Sequence, residues 1–182
     1  FNAPVVLSLA AISFVATLLN YVTGGASGRV LFMTYHSPLS SPMTWIRAFT
    51  HIFGHADWTH LIGNMSYLLL LGPMLEEKYS SQTLAGVIAV TAVVTSVVNY
   101  IFFPGIALCG ASGVVFAFIL LSSFTEFREG EIPVTFILVA VFFLGQQIYD
   151  GITVRDNISN MAHIVGGIIG GLLGYGLNKK SR

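Results

Sequence analysis

Residues 104–127 read PGIALCGASGVVFAFILLSSFTEF: a turn-forming Pro104-Gly105 pair, a serine set between glycines at Gly110-Ala111-Ser112-Gly113, and an apolar run closing at Phe127. The run is short for its composition. About sixteen residues from Ser112 to Phe127 rise about 24 Å at 1.5 Å each, against a hydrocarbon core of about 30 Å. With the Phe127 end at the cytoplasmic interface, Ser112 lies below the opposite surface. Pro104 to Ala111 must then dip into the membrane as non-helical backbone. Such backbone is tolerated only where protein covers it or it faces a wet cavity. The spacing predicts a cavity that opens outward and ends at Ser112.

The rest of the chain agrees with a membrane reading. Of 182 residues, 54% are hydrophobic and only 9% charged, with a mean hydropathy of +0.79. A soluble domain of this size carries more charge on its surface. Formal net charge is zero, so nothing points to nucleic acid or an acidic partner. The lone Cys109 excludes an internal disulfide.

Six spans are expected: Ala3 to Val22, Trp58 to Leu75, Gln82 to Phe103, Ser112 to Phe127, Ile132 to Tyr149 and Ile158 to Leu177. The first lacks a basic leader and a cleavage site, and reads as a retained span. Between the first two lies a long loop, Thr23 to Asp57. Its pieces Gly28–Tyr35 and Pro42–Ile52 are too short to cross and are expected at the interface, with Trp45 and Arg47 at headgroup level. With both termini cytoplasmic, that side holds Lys78, Arg128, Lys179, Lys180 and Arg182, and the other holds Arg29, Arg47 and Arg155. The bias favours this orientation, which makes the first loop extracytoplasmic. No internal repeat or second domain is visible. The expectation is one all-α domain over residues 1–182, a six-transmembrane-helix bundle with a partly helical first loop.

Ionisable side chains within spans are expensive and are functional candidates. Ser112 falls in the first turn of a helix, where free N–H groups and the dipole favour an oxyanion. It could equally cap that helix. His163 lies at comparable depth in the sixth span. It shares a face with the small-residue stripe Gly166, Gly170 and Gly174, which admits another helix closely. If that helix is the fourth span, a Ser–His pair forms; otherwise His163 is interhelical polar glue. His60 and Asn64 are i,i+4 on one face of the second span. They can complete an oxyanion hole or serve as glue. His51 and His55 are also i,i+4, but no Cys, Asp or Glu at that depth completes a ligand set, so no metal or cofactor is expected. Glu76 is either solvated or ties the end of the second span to a neighbour. Arg47 could lock the first loop through backbone carbonyls, and Phe116 could pack under the imidazole of His163.

Three ordered marks, His60-x-x-x-Asn64, Gly110-Ala-Ser112-Gly113 and Ala162-His163-x-x-Gly166-x-x-x-Gly170, make nearly the whole chain resemble the rhomboid family of intramembrane serine proteases in its bacterial six-span form. The resemblance implies Ser112 as nucleophile and His163 as base, with no acid completing a triad. It also implies an oxyanion hole from the Ser112 N–H, His60 and Asn64, and structural roles for Glu76, Arg47 and the glycines. Its substrates would be transmembrane segments of other membrane proteins, cut without a cofactor or obligate partner in a bacterial cytoplasmic membrane. The segment Asp150 to Asn157 would be a movable cap over the serine. Two features depart from the pattern. The family's Trp-Arg pair reads Ile46-Arg47, with Trp45 displaced by one, and Phe116 stands where some members carry tyrosine. A non-catalytic client-binding protein using the same groove is the alternative reading.

Overall fold

The computed structural model describes residues 2–125, individual helical positions between 134 and 145, and residues 157–179. Every regular element among them is helical. α1 spans Pro4–Val22, α2 Pro42–Thr50, α3 Trp58–Tyr79, α4 Ser81–Phe102, α5 Ser112–Ser122 and α6 Asn157–Lys179. The first loop adds a π-helical turn, Gly28–Phe32, and a 3-10 turn, His51–Phe53. Among the described residues, three helices are long and apolar enough to cross a membrane: α1, α4 and the Met161–Asn178 part of α6. The expected fifth span and the Asp150–Asn157 cap fall largely outside the described residues, as do Arg128, Arg155, Lys180 and Arg182.

Local chemistry sets the helix starts. Pro4 and Pro42 open α1 and α2 at positions whose N–H would have no helical partner. The Asp57 side chain accepts from the His60 N–H to cap α3, and Ser80 accepts from the Thr83 N–H to cap α4. Ser80 adopts φ +74° and joins α3 to α4 with no further linker. α3 continues past Leu75 to Tyr79. The charged Glu76-Glu77-Lys78 group ends the apolar stretch but not the helix, because hydropathy marks where a bilayer would end and backbone hydrogen bonding continues beyond it.

α5 is eleven residues long and sits among α3, α4 and α6. Val114, Ala117, Phe118 and Leu121 on it are completely buried. The glycines of α6 meet it in register. A Cβ at Gly166 would overlap the Gly113 carbonyl oxygen, and one at Gly170 would overlap the Ala117 carbonyl oxygen. At Gly174 it would lie 2.6 Å from Phe124 Cδ2. The stripe therefore packs on the helix that carries Ser112.

α1 docks on α3 through Gly72, where a Cβ would lie 2.6 Å from Val6 Cγ2. The Glu76 carboxylate, 3% exposed, accepts from the Val5 and Val6 N–H groups, each at 3.0 Å, and from the Ser81 hydroxyl at 2.7 Å. No side chain of α1 caps its own start, so a residue of α3 caps it from across the interface.

The first loop corrects the partners expected for Arg47. Arg47 is 7% exposed, while neighbouring Trp45 is exposed. Its partners are hydroxyls and not backbone carbonyls: it donates to the Tyr35 and Ser37 hydroxyls, and its guanidinium carbon lies 4.1 Å from the Tyr35 ring centroid.

Two outcomes check this packing. Gly170→Val should destabilise the protein by roughly 1–3 kcal/mol or more, since overpacking a tight contact forces backbone apart. Gly176→Val, at a position with nothing within 4 Å of an added Cβ, should change little by comparison. Thermal unfolding in detergent compares the two, and equal melting temperatures would refute the close approach. Glu76→Gln should cost about 1–3 kcal/mol, because an uncharged amide accepts less strongly from the two N–H groups of α1. The same melts read it, and an unchanged curve would remove the clamp.

Candidate active site

Ser112 is the first residue of α5, after Ala111 at the N-cap, and no side chain caps this helix. The capping role open to Ser112 in the sequence is thus not the one it takes. The first intrahelical bond runs from Val115 N to Ala111 O at 2.9 Å. The N–H groups of Ser112, Gly113 and Val114 precede it, so the start of α5 presents donors and a positive dipole end.

The backbone arriving at Ser112 is held from the first loop. Leu108 exchanges both backbone hydrogen bonds with Thr34, at 2.8 and 2.9 Å. Gly110 N donates to His51 O at 2.9 Å, and Asn99 Nδ2 donates to Ile106 O at 3.1 Å. The Thr34 and Ser96 hydroxyls pair at 2.7 Å beneath. These bonds satisfy a non-helical segment with protein groups.

Gly110 is where the oxyanion candidates meet the serine turn. Its φ of +118° suits glycine alone. A Cβ there would lie 2.7 Å from His60 Cε1, 2.9 Å from His60 Nε2 and 3.6 Å from Asn64 Nδ2. Asn64 Nδ2 is buried and has no hydrogen-bond partner among the described residues. A buried, unspent donor next to the serine turn can meet an acceptor brought to that turn.

His163 reaches the same end of α5 from α6. Its ring stacks on Phe116, with centroids 4.0 Å apart and planes 8° from parallel. Phe116 is one turn along α5 from Ser112. Ala162 O lies 3.3 Å from where a Gly113 Cβ would be, and Gly166 covers the Gly113 carbonyl. His163 is thus bracketed by two contacts of α6 with the residue after Ser112. Beyond Ala162 a small cleft opens between α4 and α6, lined by Thr95, Asn99, Phe103, Leu108, Met161 and Val165.

The sequence pointed to Ser112, His163, His60 and Asn64, and the structure brings all four to one end of α5. It missed His51, which is 1% exposed and supplies the carbonyl that holds Gly110. The His51 Nδ1 lies 3.3 Å from Arg47 O and its Nε2 lies 3.4 Å from Thr95 Oγ1. Burial pushes this imidazole down to about 4, so it is neutral at physiological pH. A signal was present in α4: Thr91, Thr95, Ser96 and Asn99 form a buried polar stripe at helical spacing, which implied polar partners in the facing loop.

Residues 42–180 match the family model of the Rhomboid domain. The chain is 27% identical over 150 residues to rhomboid-like protein 11, chloroplastic, of Arabidopsis thaliana, covering 74% of this chain and 53% of that protein. It is 29% identical over 135 residues to rhomboid-related protein 1 of Caenorhabditis elegans, covering 69% and 38%. Rhomboid-related protein 2 of Mus musculus is 29% identical over 158 residues, covering 75% and 52%. The chain thus spans about half or less of the length of these relatives. The matched region takes in α2 to α6 and every candidate site residue, and by it the chain belongs to the rhomboid family.

Proposed function

We propose that this protein is an intramembrane serine endopeptidase that cuts transmembrane proteins within or beside their membrane segments. The observation that carries the reading is the buried Asn64 Nδ2 beside Gly110, with no partner among the described residues, next to the helix start that bears Ser112. His163 takes the Ser112 hydroxyl proton as the oxygen attacks a peptide carbonyl. The tetrahedral oxyanion is met by Asn64 Nδ2–H, His60 and the Ser112 N–H. Each such donor is worth about 3–4 kcal/mol in a preorganised site. The protonated His163 then gives its proton to the leaving amine. Water, activated by the same imidazole, hydrolyses the acyl ester and restores Ser112. Phe116 fixes the ring plane of His163 throughout.

Six spans with both termini cytoplasmic, in a bacterial cytoplasmic membrane, complete this reading. The basic-residue bias supports the orientation. A substrate helix enters sideways and unwinds at the cut, which favours helix-destabilising residues there. The segment Asp150–Asn157 is the cap proposed to move for it.

Ser112→Ala and His163→Ala should each abolish cleavage of a labelled single-span substrate and leave the melting temperature near wild type. The double variant should be no worse than either alone, because the two act as a unit. A serine-reactive fluorophosphonate should label the wild type and not Ser112→Ala. Wild-type turnover in either single variant would refute the dyad. Asn64→Ala should lower kcat by roughly 10²–10³ with KM little changed, since the charge it meets exists only in the transition state. Steady-state kinetics decide this, and a pure KM effect would return Asn64 to a packing role.

A further inference from the structure

His55 takes no part in the chemistry above, yet it is 1% exposed and lies in the link between the 3-10 turn and α3. Its Nδ1 is 3.2 Å from the Phe53 carbonyl oxygen. A carbonyl has no proton to give, so Nδ1 carries the hydrogen and Nε2 is a bare acceptor. That Nε2 is buried with no hydrogen-bond partner among the described residues. Burial, then the neighbouring His60, push the imidazole down to about 4, against the opposing pull of the Phe53 carbonyl and then of Asp57. His55 is therefore neutral and locked in one tautomer at physiological pH.

His60 is held between this ring and the serine turn. The two imidazoles stand edge to face, with centroids 5.0 Å apart and planes at 70°. On its other side His60 presents the Cε1–Nε2 edge to Gly110. Its backbone N–H donates to Asp57 Oδ1 at 2.7 Å, which fixes where α3 begins and so where the ring is rooted. We propose that His55 is a positioning residue: its buried ring, standing edge to face against the His60 imidazole, holds that ring edge-on to Gly110, so that the Nε2 of His60 faces the oxyanion position beside Ser112. The proposal rests on the protease reading for its kinetic consequence, but the coupling between the two rings does not depend on it.

The test compares His55→Ala, which removes the ring, with His55→Phe, which keeps one. In the full chain, His55→Ala should keep its KM while kcat falls about tenfold, part of the effect of losing one oxyanion donor. His55→Phe should recover most of that loss. Spectra of 15N-histidine-labelled Ser112→Ala protein, which need no activity, should show His55 protonated at Nδ1 only. They should also show the His60 ring signals moving on His55→Ala and returning toward their wild-type positions on His55→Phe, while those of His163 stay. Unmoved His60 signals would overturn the proposal, as would Ala and Phe variants equally impaired in step with lowered melting temperatures. If His55→Ala does not fold, the His60 signals and kcat of His55→Phe decide alone: near-wild-type values support positioning, and losses matching a lowered melting temperature refute it. If the wild type cleaves nothing, the protease reading fails, and the His60 response still decides whether His55 orients it.

Discussion

The contact on which the molecule depends is backbone against backbone: α6 lies on α5 at Gly166 and Gly170 so closely that the carbonyl oxygens of Gly113 and Ala117 occupy the space of a methyl group. In a bilayer, lipid tails are as apolar as leucine, so no hydrophobic gain drives two helices together. Close van der Waals approach over a flat glycine face supplies the attraction instead. It also sets register. Once Gly166 covers Gly113, the residue one turn earlier on α6 is His163, and the aromatic ring available to it on α5 is Phe116.

A second layer of constraint comes from the first loop. Its irregular backbone would be costly in an apolar setting without partners. The loop finds them by pairing with another irregular segment, residues 103–111, through Thr34 with Leu108 and His51 with Gly110. Each segment satisfies the other, and the product is a fixed approach to Ser112. Arg47 holds the loop to itself from within, on Tyr35 and Ser37. The scaffold is therefore rigid on the side of α3 and α4, where His60 and Asn64 must meet Gly110.

Features that depend on one segment at a time were legible in the sequence. The place of Ser112 at the start of a short helix follows from the glycine-flanked break before an apolar run, and the glycine stripe on α6 from a spacing of four. The pairing of His60 with Asn64 follows from helical geometry. What escaped depended on two segments meeting. Arg47 beside Trp45 on a short amphipathic helix looks like an interfacial residue, and it is buried only because Tyr35 and Ser37 fold back over it. For Glu76 the sequence leaves open a solvated end or a tie to a neighbour; that the neighbour is the start of a helix about seventy residues away shows only in the fold. The carbonyl of His51 has no side-chain signature at all.

The brevity of α5 has a consequence for biosynthesis. At eleven residues it reaches about 16 Å, well short of a bilayer, and most of its surface is covered by α3, α4 and α6. As the chain emerges from the ribosome, this segment has no stable seat in lipid by itself, and the helix that covers its open face is made last among the described elements. The constellation around Ser112 therefore closes only when α6 arrives. A nascent chain that has α1 to α4 in place still lacks His163 and its stack on Phe116, so the cluster at the start of α5 stays incomplete until synthesis has passed the glycine stripe.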